Sequence, residues 1–117
     1  MAETQAGSAE RTARIRALND ALRRGACANG QIVVTSGVHE RGEAFVARVV
    51  EAVTQFDAFT PDNDPHLEHD FGGFDVDGEK LFFKVDYYDL AMTAHSPDAA
   101  DPAVTKRVLT IMMASEY

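Results

Sequence analysis

From Ser8 to Gly25 the run SAERTARIRALNDALRRG spaces Ile15, Leu18 and Leu22 three and four residues apart, which predicts an amphipathic helix. Ser8 reads as its N-cap, Arg23 and Arg24 fall in the last turn, and Gly25 is the stop. Residues 1–8 read as a flexible tail. Gln31 to Thr35, QIVVT, is a short β-branched run and predicts a strand. Phe45, Val46, Val49, Val50 and Val53 recur at helical spacing and predict a second helix over about 43–56. HDFGGFDV and EKLFFKVDYY alternate apolar and polar positions and meet at Asp77-Gly78, a dipeptide suited to a tight hairpin turn. Asp101 before Pro102 reads as a one-turn helix start. KRVLTIMMA, 106–114, is apolar on both faces and predicts a central strand. The order α-β-α-β-β-β describes one α+β domain over 1–117, with two helices on a mostly antiparallel four-stranded sheet.

A two-residue loop at 77 and 78 makes every cross-strand pair sum to 155 in residue number. Phe74, Val76, Leu81, Phe83, Val85 and Tyr87 then share the core face. The opposite face carries His69, Phe71 and Asp75 against Lys80, Phe82, Lys84 and Asp86, and His69 is expected to meet Asp86. A bulge at Gly72-Gly73 would shift that register by one residue.

Charge sharpens this picture. The net charge is −8, but residues 1–56 hold seven Arg against six Asp/Glu, whereas 57–117 hold four Lys/Arg against thirteen Asp/Glu. Such a second half repels nucleic-acid phosphates and attracts a basic surface or a cation, so no direct nucleic-acid binding is expected. The arginines of the first helix, Arg11, Arg14, Arg16, Arg23 and Arg24, read as its solvated face. One cysteine, Cys27, forms no internal disulfide, and no apolar run marks a signal or a membrane span; the expectation is a cytoplasmic protein.

The candidate chemistry concentrates in TPDNDPHLEHDF, residues 60–71. Asp62, Asp64, His66, Glu68 and Asp70 there, with Asp89 downstream, are the candidate binding residues. His69 and Asp86 are the pair that acid/base catalysis would use, and His66, His69, Asp70 and Asp86 are the donors that zinc or manganese would take. The spacing does not fit a calcium loop, since Leu67 stands where glycine is required. The bland alternative is a capped turn, in which Asp62 and Asp64 beside Pro61 and Pro65 bond backbone N–H groups. Gly37 and Gly42 resemble a phosphate loop only in spacing: Glu43 and Ala44 stand where Lys and Ser/Thr are needed, so both glycines read as turn residues.

The segments FTPDNDPHLEHDFGGF, KVDYYD, SPDAADPAVTKRVLTIMMASEY and GQIVVTSGV resemble the bacterial proteins catalogued as domain of unknown function 3768. The resemblance runs from about Arg14 to Tyr117. It departs at SPDAADPA, where the family more often has Pro at position 99, and at Phe83, where Trp is frequent. No activity comes with it; occurrence on plasmids and other mobile elements is what the resemblance implies, and an accessory or anti-defence role would suit that.

Together these readings describe a small acidic, non-enzymatic binding or regulatory module that engages a protein partner with a basic surface, such as a nucleic-acid-handling enzyme. The alternative is a divalent-metal-dependent hydrolase; otherwise no cofactor is expected.

Overall fold

The computed structural model describes residues 5–27 and 29–117, with side chains from Ser8 onward. The elements run α1 (Gln5–Arg23), β1 (Gly30–Val34), α2 (Ser36–His39), α3 (Glu43–Gln55), β2 (Phe71–Val76), β3 (Glu79–Tyr88) and β4 (Lys106–Met113), with a closing 3-10 turn at Ala114–Glu116. The architecture is α+β, as the hydrophobic pattern predicts. The strand order is β1-β4-β3-β2. β2–β3 and β3–β4 are antiparallel, but β1 lies parallel to β4, so the sheet is mixed rather than mostly antiparallel. β4, apolar on both faces, occupies an interior position.

The hairpin forms in the predicted register, from Phe71↔Lys84 to Val76↔Glu79. Asp77 at φ 54° and Gly78 at φ 79° supply the two left-handed residues that match the turn to the strand twist. No bulge interrupts the pairing at Gly72 and Gly73. Gly72 is required for another reason: a Cβ there would press into the Phe83 ring and lie 2.7 Å from Phe56 Cε1.

α1, α2 and α3 all pack on one face of the sheet. Leu22, Val38, Val49 and Val53 join Leu81, Phe83, Leu109 and Ile111 in a single core. Each such fully buried side chain contributes about 1.5–3 kcal/mol relative to exposure.

Several local expectations are corrected. Ser8 lies inside α1 and does not cap it, so residues 5–8 are helical and not a tail; residues 1–4 of that expected tail lie outside the described residues. Gly25, at φ 76°, does end the helix: Gly25 N donates to Leu22 O and Ala26 N to Ala21 O, a Schellman closure. Leu18 is only half-buried, and the inward stripe of α1 is Ile15, Asn19, Leu22 and Arg23. Arg23 is 2 % exposed and does not belong to the solvated face. Gly37 falls within the short helix α2, where its missing side chain admits the Glu116 carboxylate; Gly42, at φ 98°, is the turn residue. Residues 101–104 form a turn capped by Asp101, whose Oδ1 accepts from Ala103 N at 2.9 Å, and no helix starts there.

Candidate functional site

The loop between α3 and β2 holds the densest charge. Its first half is a self-capped turn. Thr60 N donates to Asn63 Oδ1 (2.9 Å), Asn63 N donates to Thr60 Oγ1 (3.3 Å), and Asp64 N donates to Thr60 O (2.8 Å). Asp64, only 2 % exposed, accepts from His69 N at 3.1 Å. This carboxylate therefore closes the loop from inside, by the Asx chemistry that the sequence offers as the structural alternative. Asp62 and His66 stand on the exposed surface.

The second half is fastened to α1. Arg16 Nη1 donates to Leu67 O (2.9 Å), Asn19 Nδ2 donates to Glu68 O (3.0 Å), and His69 Nδ1 donates to Asp20 Oδ1 (2.8 Å). The imidazole stacks on Phe59 with ring centroids 3.8 Å apart and planes 3° from parallel, while Arg23 Cζ sits 5.0 Å from the same ring. His69 Nε2 lies 3.7 Å from Asp64 Oδ2. Asp20 also accepts from Arg23 Nη1 at 2.6 Å. Burial raises the Asp20 pKa, but hydrogen bonds from His69 and Arg23 and their charges outweigh it and hold the carboxyl below its ordinary range.

The expected contact between His69 and Asp86 is not formed. Backbone pairing continues one step beyond β2, where Val85 N donates to Asp70 O at 2.8 Å, and then stops. His69 has φ 55° and Leu67 φ 59°, so the chain leaves the extended conformation at the very residue expected to pair with Asp86. The imidazole swings to the helix-bearing side. Asp86 stays on the opposite face, 3.3 Å from Lys84 Nζ.

Behind the loop lies a buried polar network built on Asn19. Its Nδ2 also donates to Tyr87 Oη (2.7 Å), its Oδ1 accepts from Arg107 Nε (3.1 Å), and Tyr87 Oη donates to Glu68 Oε1 (2.9 Å). Burial and the Glu68 carboxylate push the Tyr87 pKa up, outweighing the bond from Asn19. Arg107, 1 % exposed, lies 5.2 Å from the Tyr87 ring and donates to Ala99 O. Burial lowers its pKa. Among the described residues, Arg107 Nη1 and Arg23 Nε are buried without hydrogen-bond partners. These groups lock α1, β3 and β4 to the loop, which makes the arrangement a rigid mount.

The remaining candidates fall elsewhere. Asp89 closes a turn, accepting from Thr93 N (2.9 Å) and Ala94 N (3.4 Å), and the Thr93 bond is the main cause of its lowered pKa. Asp70 is half-buried; burial, with Glu68 and Asp64 nearby, pushes its pKa up. His66, His69, Asp70 and Asp86 are thus not drawn into one ligand set. Among the described residues no group of three or more His, Cys, Asp and Glu is placed to hold a metal ion. A depression between α2 and α3, lined by His39, Gly42, Glu43, Val46 and Ala47, is separate from this loop, and Glu43 at its rim disfavours an anion.

A family model described as "Protein of unknown function (DUF3768)" matches residues 34–116. The chain belongs to that family. The matched span holds the whole charged loop and the hairpin, but not α1, which supplies Asn19, Asp20 and Arg23. No curated protein and no solved structure matches the chain. Among the described residues, no helix is long and apolar enough to cross a membrane.

Asn19, Asp20, Arg23, Phe59 and Arg107 are site residues that the hydrophobic pattern does not single out, and for Tyr87 the pattern gives the core face but not the partners of its hydroxyl. One signal does exist for two of them. Asn19 and Arg23 stand four and eight residues after Ile15, on the inward stripe, and polar side chains at such positions need buried partners.

Proposed function

We propose that the protein is a non-enzymatic binding module, acting in the cytosol, whose 57–70 loop presents carboxylates to a basic surface on a partner protein. One observation carries this reading. Between Arg48 and Lys80 the chain has nine Asp/Glu and no Lys or Arg. Asp77 and Glu79 pair with Arg48 and Arg41 and Asp64 is buried, but the remaining carboxylates include exposed ones on a loop that is held by Arg16, Asn19 and Asp20. A preformed acidic surface binds without the entropic cost of ordering a flexible one. Asp57 and Asp62 are exposed on it, and Glu51 is exposed on the preceding helix. The partner chemistry it suits is an Arg/Lys-rich groove that otherwise receives phosphates, as in a nucleic-acid-handling enzyme.

The test is affinity capture with cross-linking, followed by titration of the purified partner. Binding is expected to weaken steeply between about 0.1 and 1 M salt, where the Debye length falls from about 10 to 3 Å. It is also expected to weaken in a Glu51→Gln/Asp57→Asn/Asp62→Asn variant. Capture of a partner whose affinity ignores both salt and those substitutions would overturn the reading.

A further inference from the structure

The helices α1, α2 and α3 pack on one face of the sheet; among the described residues no α-helix covers the other, where Val108 and Met112 are already buried among their neighbours, and the composition of that second face differs from the rest of the molecule. Arg107 points toward α1, so its neighbours Lys106 and Val108 point to the open side, and the same alternation places Lys80, Phe82, Lys84 and Asp86 there on β3. Every lysine of the chain, Lys80, Lys84 and Lys106, is therefore on this face, whereas the arginines are on the helices, the loops or the buried side. An aromatic cluster crosses it. Phe71 and Phe82 have centroids 5.2 Å apart, and Tyr117 folds back to within 5.5 and 5.3 Å of them. Tyr117 is 73 % exposed.

We propose that this face is a homodimer interface, in which two copies pack sheet against sheet. The first argument is charge. Asp75 stands opposite Lys80, and Asp86 lies 3.3 Å from Lys84, so the face carries both signs on a chain of net charge −8. Two copies meeting through any of the acidic surfaces would repel. Here a two-fold axis can set lysines against aspartates reciprocally, since an isologous interface must complement itself. The aspartates also disfavour a polyanion, because they offset Lys80 and Lys84 and leave no array of free cations for phosphates.

The second argument is area. Four strands about 4.8 Å apart and five to ten residues long, at about 3.3 Å per residue, make a patch on the order of 500 Å². Two copies would bury on the order of 1,000 Å², the lower bound for a specific interface and the size of weak, reversible contacts. The 57–70 loop, fastened to α1 on the other side, stays free for its own partner.

Sedimentation of the full chain between about 1 and 100 µM is expected to show a monomer–dimer equilibrium. Lys84→Asp and Asp86→Lys should each weaken self-association at least about tenfold. An equimolar mixture of the two should dimerise again, because each pairing across the axis then joins opposite charges. In the unaltered protein, acylation of the lysines should slow as concentration rises, a reading that does not depend on the variants folding. A monomer throughout the range, a dimer indifferent to both substitutions, or concentration-independent labelling would overturn the proposal. So would a monomer that binds a single-stranded oligonucleotide through these lysines.

Discussion

His69 Nδ1 lies 2.8 Å from Asp20 Oδ1, and the same oxygen accepts from Arg23 Nη1 at 2.6 Å. One carboxylate thus fastens the loop before β2 and neutralises a guanidinium that is 2 % exposed. Asp20→Asn is expected to cost about 1–3 kcal/mol, measured by urea unfolding, because it weakens two charge-assisted bonds and leaves Arg23 without a counter-charge. Combining it with His69→Ala should cost less than the sum of the single changes, since the two side chains share one interaction. A strictly additive pair would remove the anchoring role.

The pH dependence of stability separates two carboxyls of opposite sign. Asp20, held below its ordinary range, adds stability above its unfolded pKa of about 3.9, and that contribution is lost as pH falls through its lower folded value. Asp70, pushed up chiefly by burial, does the reverse: its ionised form disfavours the folded state above its folded pKa, and the penalty vanishes below about pH 3.9. Asp70→Asn should therefore raise stability at pH 7, by less than about 1 kcal/mol because solvent screens a half-buried carboxylate, and leave it unchanged near pH 3. Unfolding curves at those two pH values test this, and a variant that is less stable at pH 7 would refute it.

Gly72→Ala should destabilise by about 1–3 kcal/mol, since its Cβ would enter the contact between Gly72 and the rings of Phe83 and Phe56. The change acts on packing and not on turn conformation. Gly73→Ala, whose Cβ would come nearest to the Phe82 ring at 3.1 Å and the flexible end of Lys80 at 3.5 Å, should cost less. Equal melting temperatures for the two variants would contradict the assignment.

Glu116 bridges the chain end to α2. Its carboxylate accepts from Thr35 Oγ1 (2.6 Å), Gly37 N (3.2 Å) and Met113 N (2.8 Å), and the Thr35 hydroxyl is the chief cause of its lowered pKa. Glu116→Ala is expected to speed amide exchange at Gly37 and Met113 while leaving exchange in β3 unchanged. Unchanged exchange at Gly37 would show that α2 holds without this clamp.

Periodicity alone determined the main elements and the hairpin register of this protein, because those depend on near neighbours. Phe45, Val49 and Val53 recur at helical steps, and Asp77-Gly78 accepts two positive φ values whatever surrounds it. The charged loop is legible in the chain as a place but not as a set of contacts. Tertiary structure decided that His69 turns toward Asp20, that Arg107 is interior, which partners Asn19 and Arg23 find there, and that β1 runs parallel beside β4. The bonds from His69 to Asp20 and from Arg107 to Asn19 join residues 49 and 88 positions apart, and the first depends on one left-handed backbone angle at His69. Such choices are settled by which buried polar groups find partners, and a local pattern carries no record of that.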